Sequence, residues 1–369
     1  MIIGTVREIK EDEYRVGATP GGAEVLIHHG GHTVLVEAGA GLGSGFDDHQ
    51  YTRHGAQVVA SAAEVYARAD LVVKVKEPMP PEWPRLRRGQ VVFTYFHFAA
   101  SRELTEGVAG TGIVAIAYET ITDANGHLPL LTPMSEVAGR MSVQVGAWTL
   151  EKTHGGRGVL LGGVPGVLPS RVVILGAGVV GANAARIAAG LGADVDVYDV
   201  NLDRLRYLSD VMPANVRTVR SEPAAIRWAI SHADLVIGAV LLPGRRTPML
   251  ISAADLKLMH RGSVIVDVGV DQGGCVQTSR PTTHRNPTYE VEGVVHYCVA
   301  NMPGAVPRTS TLALTNATLP YVQHLAEAGW RSAAAGDKGL AAGVNMVEGA
   351  VTHPGVAEAH GMKLAELKF

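Results

Sequence analysis

Arg171-Val172-Val173-Ile174-Leu175-Gly176-Ala177-Gly178-Val179-Val180-Gly181 is a β-branched run that breaks into glycines and continues into residues whose apolar positions recur at helical spacing. It reads as a strand, a tight turn and the start of a helix. Gly176 allows the turn, Gly178 lets backbone amides approach a pyrophosphate, and Gly181 allows close packing of helix on strand. The helix N-terminus adds positive potential for the anion. Asp199 closes the next apolar run, where a carboxylate accepts hydrogen bonds from the adenosine ribose hydroxyls. Its charge would repel a 2′-phosphate, so the reading is NAD rather than NADP. Arg204, five residues on, is the side chain that could soften that preference.

Working outward, six strands are expected in this block: Arg171–Leu175, Asp194–Tyr198, Val216–Val219, Leu235–Ala239, Val264–Val268 and Val294–Val299. Six is the number in a complete dinucleotide-binding fold. An earlier block repeats the alternation of strands and amphipathic stretches, with strands at Ile2–Val6, Thr33–Glu37, Leu71–Val75, Val91–Tyr95 and Ile113–Ala117. Thr19-Pro20 opens a helix there and Gly30 closes it. Between the blocks, Ser135 to Gly139 begins a long apolar-periodic segment, and Gly155–Pro169 is a Gly- and Pro-rich loop. Ser310 to Ala328 reads as helical with no sheet of its own, so it is expected to cross back and complete the first domain.

A chain of 369 residues exceeds a single ordinary core and points to two domains. With 47% hydrophobic and 18% charged residues it is globular, and 44 glycines without a Gly-x-y period suit many tight turns. A net charge of -3 with no basic run argues against a nucleic-acid partner. Cys275 and Cys298 form no CxxC pair, so neither a disulfide framework nor a structural zinc site is expected, and the cytoplasm fits. No apolar run is read as a signal peptide or a membrane span. His324 and Glu327 share a helical face but make no metal site by themselves.

Ligands in open α/β sheets sit beyond the carboxyl ends of strands. Lys76, His97, Asp271 and Asn301 each follow a predicted strand, two in each block. His97 lies in an apolar run that restricts its solvent access, suiting either proton transfer or a satisfied core position. Asp271 sits in Asp267-Val-Gly-Val-Asp271-Gln-Gly-Gly, whose glycines suggest that the backbone approaches a ligand. Strand alternation sends Lys74 and Lys76 to one face, as a solvated edge or as ligand contacts. Arg15 either pairs with the neighbouring acids in Glu11-Asp12-Glu13-Tyr14-Arg15 or clamps a carboxylate, and periodicity does not choose.

Taken together, these motifs resemble the alanine dehydrogenases, a family that also includes the NAD-binding subunit of proton-translocating transhydrogenase. The resemblance covers nearly the whole chain. It is carried by Arg7-Glu8 through Arg15-Val-Gly-Ala-Thr19-Pro20, Lys74-Val-Lys76-Glu-Pro78, Phe93-Thr-Tyr-Phe-His97, Tyr118-Glu119-Thr120, Pro133-Met134-Ser135-Glu136-Val-Ala-Gly139, the glycine turn, Asp271-Gln-Gly-Gly274 and Val299-Ala-Asn301-Met-Pro303.

The resemblance implies an α/β fold of two domains, with a Rossmann NAD-binding domain (135–307) inserted into a discontinuous Rossmann-like or flavodoxin-like substrate domain (1–134 and 308–369). It implies reversible oxidative deamination of L-alanine to pyruvate and ammonium with NAD as cofactor. His97 and Asp271 would be the catalytic pair, and Arg15 and Lys76 would hold the substrate carboxylate, with Asn301 beside the substrate. Ser135, Gly176, Gly178, Val179, Gly181, Asp199, Arg204, Ser221, Val240, Leu241, Val268, Gly269, Val270, Asp271, Arg280 and Val299, Ala300, Asn301 and Met302 would line the cofactor. It further implies a homohexamer, for which Val137–Leu150 is either interface or core. A transhydrogenase subunit is the rival within the family, and a non-catalytic NAD sensor a more distant one. The presence together of Arg15, Lys76, His97 and Asp271 favours the enzyme. Residues 338–352 and the tail Val356–Phe369 carry no expected function, and the tail is expected to pack or fray at the surface.

Overall fold

The computed structural model of the chain describes residues 1–240 and 247–369, and contacts along the backbone divide it into two units. One comprises Met1–Met134 and Gly304–Phe369, the other Ser135–Pro303.

The first unit runs β1 (Ile2–Thr5), α1 (Pro20–His28), β2 (Thr33–Glu37), α2 (Asp48–Arg53), β3 (Gln57–Val59), α3 (Ala62–Arg68), β4 (Leu71–Val73), β5 (Val91–Thr94), α4 (Arg102–Thr111) and β6 (Val114–Ala117). These six strands are parallel in the order β3-β2-β1-β4-β5-β6. That is the Rossmann order rather than the flavodoxin one, and it reverses between β1 and β4. Thr19 caps α1 as expected, accepting from the Gly22 amide. The helix ends at His28, however, and Gly31 rather than Gly30 takes the left-handed conformation, at φ 63°.

A long helix, α5 (Thr132–Thr149), leads to the second unit: β7 (Arg171–Leu175), α6 (Val179–Gly190), β8 (Asp194–Asp199), α7 (Leu202–Val211), β9 (Val216–Arg220), α8 (Pro223–Ile230), β10 (Leu235–Gly238), β11 (Val264–Asp267), β12 (Thr288–Val291) and β13 (Val294–Tyr297). The sheet order is β12-β13-β11-β10-β7-β8-β9. Six strands repeat the Rossmann order. The seventh, β12, is an antiparallel edge strand that the sequence did not announce. Val172 and Ile174 of β7 enter one core with Ala184 and Ala188 of α6, while Val173 and Leu175 enter another with Ile226 and Ile230 of α8. A strand buried on both faces explains the uninterrupted apolar run. In α5 Val137, Ala138, Met141 and Val143 are buried, as is Leu150 just past its end, so that stripe is core rather than an exposed interface.

The chain returns through α9 (Pro307–Gly336), which is interrupted at Gly329, and α10 (Lys338–Gly343). β14 (Val344–Val347), β15 (Ala350–Val351) and α11 (Pro354–His360) follow. β14 pairs antiparallel with β6 and β15 with β14, so residues 338–352 extend the first sheet. The tail packs as far as Ala365, whose amide donates to the Val351 carbonyl, and Phe369 is exposed.

Candidate active site

In the second unit, the candidate residues follow the carboxyl ends of adjacent strands. Gly176 leaves β7 at φ 109°, a conformation open to glycine, and its amide donates to the Tyr198 carbonyl. A Cβ on Gly176 would stand 2.6 Å from the Ala239 carbonyl oxygen, and one on Gly181 only 1.8 Å from the Gly176 oxygen. Gly178, at the N-cap of α6, has no such neighbour: the nearest atom is the Arg204 guanidinium at 3.7 Å. The first and third glycines are therefore required by the fold. The second leaves open space in front of the α6 N-terminus, a cradle suited to an anion.

Asp199 ends β8 and ties the turn together. Its Oδ2 accepts from the Ala177 amide at 2.7 Å and its Oδ1 from the Asn201 amide at 2.8 Å, while its carbonyl accepts from the Ser221 amide at 2.9 Å. Gly176, Gly178, Asp199, Arg204 and Ser221 are thereby brought together, and Val179 opens α6 with an exposed side chain. Val240 adjoins both Gly176 and Gly269. Ser135 is one helical turn before Gly139 on α5, and a Cβ on Gly139 would meet the Val180 carbonyl at 2.2 Å, so this stripe faces α6 closely. Leu241 lies outside the described residues. Arg280 stacks over the Tyr289 ring at 4.0 Å, away from the glycine turn's own contacts.

Val268, Gly269, Val270 and Asp271 form the loop after β11. Its anchor, overlooked in the sequence, is the buried Asp267. This carboxylate accepts from the Gly269 amide (3.2 Å), the Cys275 amide (3.0 Å) and the Ser279 hydroxyl (2.7 Å), leaving Asp271 exposed on the loop. After β13, Val299 and Met302 are buried, and the Ala300 amide donates to the Thr282 carbonyl. Asn301 is held at φ 62°, and its carbonyl accepts from His284.

In the first unit, Arg15, Lys76 and His97 follow β1, β4 and β5. Arg15 is buried, and both alternatives raised by the sequence bear on it: its Nε and Nη2 bind the Glu13 carboxylate at 2.7 and 2.5 Å, while Nη1 contacts Met134 Sδ at 3.0 Å. Glu13 thus fixes the fork. Lys74 and Lys76 are both buried, which removes the solvated-edge reading. Burial, then Arg15 and Lys10, lower the pKa of Lys76, and among the described residues no hydrogen bond or ion pair reaches its Nζ.

His97 occupies the left-handed region at φ 53°, an uncommon conformation for a residue with a Cβ. The Glu119 carboxylate accepts from its amide at 2.6 Å and from the Phe96 amide at 3.2 Å, and the Tyr95 ring lies parallel to the imidazole at 5.8 Å. Lost hydration in the recess, then Lys76, Lys10 and Arg15, push the His97 pKa down to about 3. Solvent reaches the ring and blunts the first effect, but every cause acts in one direction, so the imidazole is neutral at pH 7. Burial raises Glu119 to about 7 against the lowering effect of those amide bonds. The result is a neutral imidazole under the influence of Lys76, Lys10 and Arg15, a combination suited to a carboxylate ligand and to proton transfer.

Comparison with known proteins gives matches along nearly the whole chain. The family described as alanine dehydrogenase/PNT, N-terminal domain, matches residues 4–138, and its C-terminal domain matches residues 142–354. An alanine dehydrogenase of Halomonas elongata is 54% identical over 99% of this chain and 98% of its own. One from Bacillus subtilis is 54% identical over 97% and 94%. Among solved structures, an L-alanine dehydrogenase superposes with a TM-score of 0.95 at 54% identity, covering 98% of this chain and 99% of its own. A transhydrogenase from Sinorhizobium meliloti superposes at 0.82 with 26% identity, covering 96% and 99%.

Proposed function

The chain belongs to the alanine dehydrogenase/PNT family, and from that premise we propose that it catalyses the reversible NAD-dependent oxidative deamination of L-alanine to pyruvate, ammonium and NADH. The observation that carries the reading is that buried Arg15 and Lys76 act together on a neutral His97 in the first unit. A bare nucleotide carrier has no use for carboxylate-binding cations or a proton shuttle.

NAD would supply the hydride acceptor, and the α6 N-terminus, Asp199, Ser135, Val179, Arg204, Ser221, Val240, Leu241, Arg280 and the loops after β11 and β13 would hold it. Arg15 and Lys76 hold the substrate carboxylate, which fixes the Cα hydrogen that leaves. Loss of that hydride makes an iminium on the substrate. Neutral His97 takes a proton from the water that attacks it and gives it to the amine of the carbinolamine, then takes the hydroxyl proton as the C–N bond breaks and passes it to the departing ammonia; the proton shed by the substrate ammonium before hydride loss is the one released. Asp271 stabilises the iminium cation, and Asn301 contacts the substrate. One water enters, and pyruvate, ammonium and a proton leave.

The protein acts as a homo-oligomer, a hexamer by resemblance, in the cytoplasm. Leu160, Val164, Val167 and Leu168 are exposed on one loop, an apolar surface suited to another copy, and both cysteines are unpaired and buried. No helix among the described residues is long and apolar enough to cross a membrane. Light scattering measures the assembly. The activity is tested by NADH formation from NAD and L-alanine at alkaline pH and its reversal by pyruvate with ammonium. NADH binding without either reaction would refute the enzyme and favour a transhydrogenase-like or sensing role.

A further inference from the structure

Beneath Lys76 lies a buried ionic cluster that the reaction does not use. Lys74, Glu8, Glu82 and Tyr66 are 0%, 7%, 2% and 0% exposed. Lys74 Nζ donates to Glu8 Oε2 and to Glu82 Oε1, each at 3.0 Å, and the Tyr66 hydroxyl donates to Glu82 Oε1 at 2.6 Å. Glu82 Oε2 accepts from the Met79 amide at 2.7 Å. Burial opposes the charge on Lys74, but Glu8, Tyr66 and Glu82 outweigh it and keep the ammonium protonated.

Burying two carboxylates around one ammonium is a poor route to stability, since well-packed apolar side chains of similar volume often do better. The cluster's geometric output lies elsewhere. β4 ends at Val73; the Lys74 amide and the Val75 carbonyl still pair with the β5 strand and its extension, at Phe93 and Tyr95, but the Val75 and Lys76 amides turn to a side chain instead. Glu8 Oε1 accepts the Val75 amide at 2.7 Å and the Lys76 amide at 3.3 Å. On the other side, the Thr94 hydroxyl donates to the Lys76 carbonyl at 2.9 Å, and the Tyr118 hydroxyl donates to the Lys74 carbonyl at 3.0 Å. Lys74 holds one oxygen of Glu8 and thereby aims the other at the Lys76 backbone.

We propose that Glu8, oriented by Lys74 and Glu82 and opposed by Thr94, is a positioning residue that sets the direction of Lys76 toward the substrate carboxylate. This rests on the reading of Lys76 as a substrate contact.

Glu8→Gln is the discriminating substitution. One oxygen becomes an NH2 group, which must face either the two peptide amides or the Lys74 ammonium. Neither is acceptable, and the amides lose their anchor. Adding Lys74→Met removes the ammonium and lets the amide oxygen turn back to the peptides. The pyruvate KM of Glu8→Gln should rise roughly ten- to hundredfold, with kcat changed far less and NADH affinity unchanged. Glu8→Gln with Lys74→Met should bring KM back to within about threefold of the parent, a rescue that a purely structural role would not give. Thr94→Val, near-isosteric and uncharged, should raise pyruvate KM in the same sense and keeps the proposal testable if Glu8→Gln does not fold. Unchanged KM in folded Glu8→Gln or Thr94→Val, or a double variant worse than Glu8→Gln, would overturn it. These measurements use a parent enzyme active on L-alanine, so an inactive parent would instead count against the function itself.

Discussion

The glycines at positions 178 and 181 should respond in opposite ways to the same added methyl. In Gly181→Ala the new Cβ stands 1.8 Å from the Gly176 carbonyl oxygen, against about 3.4 Å for ordinary contact. The obstacle is backbone, so α6 must retreat from β7 by about 1.5 Å in a close-packed core. Overpacking of this kind costs typically 1–3 kcal/mol, and a clash this deep belongs at about 3. At about 2–4 °C per kcal/mol, Tm should fall by about 6–12 °C. In Gly178→Ala the Cβ meets only a movable arginine tip at 3.7 Å, and the N-cap loses no more than about 1 kcal/mol. Its Tm should stay within about 4 °C of the parent. The methyl would fill the open space in front of α6 proposed for the pyrophosphate, so NADH affinity should drop by at least about tenfold while the fold persists. Thermal melts and NADH fluorescence titrations read both effects. Equal melting of the two variants, or NADH binding unimpaired in Gly178→Ala, would refute the division of labour.

Asp199→Ala should lose NAD affinity and narrow the preference over NADP, because it removes both the ribose acceptor and the repulsive charge; a preference that stays as wide in steady-state KM ratios would count against this role. His97→Ala and Asp271→Asn should each lower kcat by about 10²–10⁴-fold while NADH still binds. Full turnover in either would take that residue out of the mechanism. The depressed pKa of His97 also has a sign in stability. The unfolded chain binds a proton near pH 6.5 that the folded chain refuses until about 3, so this contribution is present above 6.5 and lost as pH falls through that window. His97→Gln should lose less Tm than the parent between about pH 7.5 and pH 5; parallel losses would contradict the depressed pKa assigned to the ring.

Most strands of both sheets were legible because they are buried on two faces, and such runs announce themselves as continuous Val, Ile and Leu, whereas the edge strand β9 was legible from its β-branched residues alone. The short edge strands β3 and β12 were not. Gln57 is exposed and β12 is only half-buried, so neither carries a buried-strand pattern. β14 escaped notice for a related reason: its place is set by antiparallel pairing with β6, over two hundred residues away. At the site, Lys76, His97 and the glycine turn could be found because they follow strands. Glu8, Glu13, Glu119 and Asp267 act by accepting backbone amides or fixing another side chain, and a sequence does not display which amides leave their sheet unpaired. Glu119 alone carried a usable signal, its place just past β6.

In the proposed reaction hydride passes from the Cα of L-alanine to NAD on this protein. Turnover of L-alanine carrying deuterium at Cα, followed by mass analysis of the NADH, tests it without reference to any variant. The NADH should be heavier by one deuterium, in proportion to the pyruvate formed. Absence of L-alanine-dependent NADH, or NADH formed without the label, would contradict it.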